Sequence, residues 1–195
     1  MSATATVVAI SAVVVAALAV VAIVVLFRAS GSGPQHRISL PDSAGGYRLV
    51  RTVDGQTAEA MLGSAASSLG PISSALAVAK IGLYGTGGAD ALPTVIFLGF
   101  NRADSAAIDA LMQRRSADQV TGELLDGTAS APPRSFDTGP LGGSLKCASA
   151  ARGATSFTPC AWVDASTIGL LLRVGTVDEG AMADLTLSFR TAAEH

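Results

Sequence analysis

Cys147 and Cys160 are the only two cysteines in the chain. Thiols can cross-link, bind a metal or carry redox chemistry, and spacing decides among these. A redox pair usually follows a Cys-x-x-Cys pattern, and the interval here is far longer. A structural metal site wants about four ligands. No further cysteine exists, His36 falls in a linker and His195 is the last residue, so no metal ligand set is assigned. A structural disulfide is the favoured reading, with two reduced buried thiols as its alternative. A bond closing a loop of this length contributes roughly 3 kcal/mol in the chain-entropy picture.

The second group that could do chemistry follows directly: Trp162, Asp164 and Thr167, with Ser166 between the last two. Trp162 is the only tryptophan and can line a ligand pocket, although a strand tryptophan beside a disulfide also serves as core. Asp164 at a strand end either caps a turn or, with Ser166 and Thr167, offers oxygens to a hard cation. These three residues are the candidate ligand-binding set. A Ser-His-Asp triad needs a positioned histidine, and neither histidine is well placed. The glycines of Gly85 to Asp90 invite comparison with a phosphate loop, but no Gly-Lys-Ser/Thr ending follows. No catalytic residue, metal or cofactor is assigned. A carboxylate enzyme built around Asp164 or Asp137 stays open as the alternative.

The elements that must position these residues are the best patterned part of the chain. Ser144 to Ala150, Ser156 to Val163 and Thr167 to Val174 read as successive strands, with Asp164-Ala165-Ser166 as a tight turn. Thr176-Val-Asp-Glu179 reads as a capping box, opening a helix with Ala181, Met182, Leu185, Phe189 and Ala192 on one face. Upstream, Asp54 can cap a helix to about Ser68, with Ala58, Met61, Leu62, Ala65 and Leu69 on its apolar side, ended by Gly70-Pro71. Ala75 to Tyr84 and Thr94 to Gly99 read as a hairpin. Asn101 or Asp104 starts a helix through Ala107, Ile108, Leu111 and Met112 to Arg114-Arg115. Gly122 to Pro140 reads as a surface excursion. The expected fold class is α+β: an N-terminal transmembrane helix, then an antiparallel sheet with helices mainly on one face.

Gly142-Gly143-Ser-Leu-Lys-Cys147, followed by Cys160-Ala-Trp162-Val-Asp164-Ala-Ser-Thr167-Ile-Gly169, resembles a group of uncharacterised actinobacterial proteins. They combine an N-terminal anchor with an extracytoplasmic domain carrying a Gly-Gly…Cys strand and a Cys-x-Trp-x-Asp strand and turn. The Ala/Gly/Val-rich composition fits that origin. In detail the resemblance covers roughly the C-terminal quarter. It implies location and a disulfide, and it carries no activity.

Val7 to Phe27 contains Val, Ala, Ile, Leu and Phe with Ser11 as the single polar residue. About 20 apolar residues in a helix span a bilayer core, so residues 1–28 read as an uncleaved anchor. The segment before the run has no Lys or Arg, which fits a cleaved signal peptide less well; secretion after cleavage is the alternative. Residues 29–37 read as a flexible Gly/Ser linker and 38–195 as one domain. Arg28 and Arg37 on the C-terminal flank argue for a domain inside the cell, whereas a disulfide argues for one outside; the outside placement is adopted. Net charge is -2 and lysine occurs only at Lys80 and Lys146, so no clustered basic face for nucleic acid exists. The expected function is a membrane-anchored extracytoplasmic binding, sensing or scaffold domain for a protein or cell-envelope ligand. The alternative is a small carboxylate-dependent hydrolase or transferase.

Overall fold

The computed structural model describes residues 35–87, 92–127 and 129–195. The expected anchor, Val7 to Phe27, and linker residues 29–34 lie outside the described residues. Among the described residues no helix is long and apolar enough to cross a membrane.

Residues 36–195 form one unit, built as follows. β1 (Ser43–Ala44) and β2 (Tyr47–Val53) precede α1 (Gly55–Leu62) and a 3-10 segment (Gly63–Val78). β3 (Lys80–Gly85) and β4 (Val95–Asn101) are followed by α2 (Ala106–Arg114) and α3 (Ala117–Asp126). β5 (Arg134–Phe136), β6 (Ser144–Cys147), β7 (Ala150–Arg152), β8 (Thr155–Val163) and β9 (Thr167–Val174) lead to α4 (Glu179–Ala193). The strands form one sheet in the order β1-β2-β3-β4-β9-β8-β6-β5, with β7 beside β8. Every pairing is antiparallel. The chain is therefore α+β with a large antiparallel sheet.

Strand side chains alternate between the faces of a sheet, and here the two faces differ in kind. Ile81, Leu98, Phe100, Ala161, Val163, Ile168 and Leu170 point to the side covered by α1, the 3-10 segment, α2 and α3. Tyr84, Val95, Phe97, Leu145, Cys147, Cys160, Trp162 and Leu171 point to the side covered by α4. The first face is almost wholly aliphatic. The second gathers four of the chain's few aromatic rings around Phe189: Tyr84 meets it edge-on at 4.8 Å, and Phe97, 6.1 Å from it, stacks on Trp162 at 5.6 Å. Tyr47 completes the cluster at 6.5 Å. Three of the four described α-helices thus share one face, and the fourth, α4, closes the other.

Several expectations need correction. Ala75 to Val78 is not strand: Ile72, Ala75 and Leu76 are buried at three-to-four-residue spacing within the 3-10 segment, and β3 begins only at Lys80. That segment runs past the expected stop, with a kink at Gly70 ahead of Pro71. Asp54 does cap α1, accepting from the Thr57 N–H at 2.7 Å; Ala58 is buried, while the side chains of Met61, Leu62 and Ala65 lie outside what is described. Asn101 precedes only a 3-10 turn, Arg102–Asp104, and neither it nor Asp104 starts the α-helix. Ser105 caps α2, and Asn101 ends β4 with its side chain accepting from the Ile38 N–H at 2.7 Å. The supposed excursion after Gly122 is largely structured: α3 opens on a capping box of Ser116 and Gln119, and β5 lies within the rest. The expected box at Thr176 is replaced by Asp178, which accepts from the Gly180 and Ala181 N–H groups. Chain order matters here, because the Glu179 carboxylate turns away to accept from the Ser149 hydroxyl at 3.0 Å.

Cys147 and Cys160 are disulfide-bonded, directly opposite each other on β6 and β8 with Cα atoms 4.0 Å apart. Both are fully buried beneath α4. Two residues further along β8, the indole of Trp162 lies flat over Gly169 of β9, where an added Cβ would fall 2.2 Å from the ring. Only glycine admits that contact.

Cys147→Ser or Cys160→Ser should lower unfolding stability in urea by about 2–5 kcal/mol, as for native bonds in small domains. Without reduction, neither thiol should label; full labelling of both contradicts the bond. Gly169→Ala should cost about 1–3 kcal/mol through overpacking, and a neutral result would mean the indole moves freely. Burial, with Asp42 adding its charge, pushes the Tyr84 phenol well above its ordinary value of 10.0. A raised value in the folded state makes this contribution complete below that pH and progressively lost above it. Stability should therefore fall in alkali, and less steeply in Tyr84→Phe; identical pH profiles would contradict this.

Candidate functional site

The three candidate ligand-binding residues do come together, and they do so around two residues that sequence reasoning missed. Trp162 and Thr167 face α4 from β8 and β9, and Asp164 begins the turn between those strands. From the end of α4, Glu194 Oε1 accepts from Trp162 Nε1 at 2.5 Å and from the Thr167 hydroxyl at 2.6 Å. Its other oxygen accepts from Arg190 Nε at 3.1 Å. Arg190 Nη2 reaches across to Asp164 Oδ2 at 2.9 Å, while Asp164 Oδ1 accepts from the Ser166 and Thr167 N–H groups at 2.7 and 2.8 Å.

Burial makes this arrangement costly to break. The side chains of Arg190, Asp164 and Glu194 are 1%, 5% and 0% exposed. A buried guanidinium needs acceptors for its five N–H groups. Beyond the two carboxylates, Arg190 Nη1 donates to the backbone carbonyls of Gly142 at 2.7 Å and Thr138 at 3.2 Å. Those carbonyls sit on the segment leading into β6. Gly143 follows with φ +88, its Cα pressed so close to the Val163 carbonyl that a Cβ would overlap it. The Gly-Gly pair noticed in the sequence thus lets the backbone reach Arg190 and β8 together. The polar atoms of Trp162, Asp164 and Thr167 are consequently all engaged by groups within the domain.

The sequence did carry a signal for Arg190. The buried positions of α4 are Met182, Ala183, Thr186, Phe189, Arg190 and Ala193, so a charged residue interrupts an apolar helical face with a carboxylate four residues on. Ala181 and Ala192, expected on that face, are exposed.

On the other side of the Asp164 turn lies a cavity of about 220 Å³, bordered by Arg102, Arg115, Met112, Val120, Val163 and Asp164 among others. Arg102 is fixed by Asp109, which accepts from its Nε at 2.6 Å, and by the Ala165 carbonyl. That hydrogen bond from Arg102, with a second from Gln113, holds the Asp109 carboxyl below its ordinary value. Arg115, at the α2–α3 junction, pairs through Nη1 with Glu123. Asp137, next to Thr138, contributes no side-chain bond to either place; its carboxylate accepts from the Gly139 N–H at 2.8 Å. Among the described residues no group of three His, Cys, Asp or Glu side chains converges as a metal site.

Comparison with protein-family models, with curated proteins and with solved structures finds no match to this chain.

Removing one member of a buried charge network leaves its partners uncompensated, at about 3–5 kcal/mol. Arg190→Met should therefore destabilise the domain by about that much in urea unfolding, because two buried carboxylates lose their shared cation. Arg51→Gln, at an exposed residue of β2, should stay within about 0.5 kcal/mol. A cost for Arg190→Met below about 1 kcal/mol would show that the network is dispensable.

Proposed function

We propose that the chain is a membrane-anchored domain that binds, senses or scaffolds at the outer face of the cytoplasmic membrane, tethered by Val7 to Phe27. The observation that carries this reading is the buried Cys147–Cys160 disulfide, since such bonds persist in oxidising compartments. The apolar run supplies the tether, and the resemblance to anchored actinobacterial proteins supports the same location. Binding is favoured over catalysis by how the carboxylates are used. An acid–base enzyme needs a carboxyl group free to exchange a proton with a substrate. Both oxygens of Asp164 and both oxygens of Glu194 accept hydrogen bonds from within the domain.

Two measurements test the reading. After alkaline carbonate extraction the full-length protein should stay in the membrane pellet, and protease added to wall-stripped cells should digest the domain. Release into the supernatant, or protection from protease, contradicts the anchor or its orientation. Purified full-length protein should turn over neither cell-wall nor lipid substrates. Turnover that Asp164→Asn abolished without lowering thermal stability would replace binding by the carboxylate-dependent hydrolase or transferase.

A further inference from the structure

Arg102 and Arg115 border the same cavity, and each spends only part of its guanidinium on protein. Arg102 uses Nε on Asp109 and Nη1 on the Ala165 carbonyl. Arg115 uses Nη1 on Glu123. Among the described residues nothing accepts from Arg102 Nη2, nor from Arg115 Nε or Nη2. A guanidinium presents donors in a rigid fork that suits the paired oxygens of a carboxylate or phosphate. The amino end of α3, which begins at Ala117 on the cavity wall, adds partial positive charge to the same space.

The remaining wall is apolar. Met112 and Ala117 line it and are only half-buried, while Val120 and Val163 lie beneath them, fully buried. Asp164 borders the cavity too, but its two oxygens are committed to Arg190 and to the β8–β9 turn. At about 220 Å³ the space lies below the range of drug-sized pockets, roughly 300–1,000 Å³. Size excludes a nucleotide or a sugar chain and admits a molecule of a few carbons.

We propose that this cavity is a binding site for a small anion, with a carboxylate or phosphate held between Arg102 and Arg115 and a short alkyl part against Met112 and Ala117. The proposal deepens the binding role argued above and rests on it. The site is partly prebuilt, because Asp109 and Ala165 already hold Arg102 in place, which lowers the cost of ordering it around a ligand. Arg115 is the adaptable member, with a side chain 46% exposed. Each arginine also faces a carboxylate of its own, so the attraction is local and weakens as salt rises.

The test is calorimetric titration of the full-length protein in detergent with butyrate, inorganic phosphate and the neutral analogue butyramide. Butyrate should bind and butyramide should not; phosphate should bind more weakly than butyrate, because it leaves the apolar wall uncovered. Arg115→Gln should weaken butyrate by about tenfold or more, equivalent to about 1.4 kcal/mol. The loss should occur without a change in melting temperature, since Arg115 and Glu123 form a surface pair of small worth. Ala117→Leu, which keeps both cations and fills the space, should weaken butyrate similarly, and Arg51→Gln should leave it unchanged. Absence of butyrate binding, equal binding of butyramide, or affinity that survives both Arg115→Gln and Ala117→Leu overturns the proposal. Such a failure leaves the broader binding role standing, because that role is decided by turnover and location rather than by this cavity.

Discussion

The buried guanidinium of Arg190 constrains the rest of the domain. An arginine cannot shed its charge in a protein, so once α4 packs against the sheet the surrounding chain must supply acceptors. They come from three separate parts of the sequence: the carbonyls before β6, the carboxylate of Asp164 and the carboxylate of Glu194. Each acceptor in turn fixes something else. Asp164 shapes the β8–β9 turn through the Ser166 and Thr167 N–H groups. Glu194 orients Trp162 and Thr167 and pairs through its backbone with Ile38. One side chain thereby couples the first and last segments of the domain to its central strands. Whether such a network adds net stability over an apolar substitute is a separate matter; what it supplies is a partner for each of three buried charges.

Around that centre the two faces of the sheet divide the labour. The aliphatic face packs three helices and a 3-10 segment on branched side chains, each burying modest area. Among the described residues the aromatic face is covered by one α-helix, α4, with the segment near Ile38 and Tyr47 beside it, and it compensates with larger rings, the disulfide and the polar network. Small residues are needed there as much as large ones: Gly169 makes room for the indole and Gly143 for the approach to Val163.

Much of this was legible in the sequence where a local rule was sufficient. β9 matches its expected span of Thr167 to Val174, and β8 differs from its own by one residue, because β-branched and alternating residues bounded by turns leave little choice. The cysteine pair and the meeting of Trp162, Asp164 and Thr167 were also foreshadowed. What escaped depends on competition between rules. Ala75 to Val78 is apolar enough for a strand, and only tertiary burial of Ile72 and Leu76 shows its helical spacing. α3 was hidden because Thr121 and Gly122 dilute its pattern, although Ser116-Ala-Asp-Gln119 carries the cap signature. Thr176 and Glu179 satisfy the capping-box spacing, yet Asp178 lies one residue from the helix and caps it instead. Taken singly, Arg190 and Glu194 give no local sign of burial, since charge on a helix normally marks the solvent side.

The cross-strand bond has a consequence for a protein exposed to proteases. Cys147 and Cys160 sit on facing strands and enclose the β7 hairpin between them. Exposed loop tips are where proteolytic nicks concentrate. A single cut between those cysteines would leave two polypeptides still joined covalently at the sheet, with β6 and β8 in register and the Asp164 turn on the far side untouched. The domain can in this sense lose the continuity of its backbone there without losing the connection between its halves.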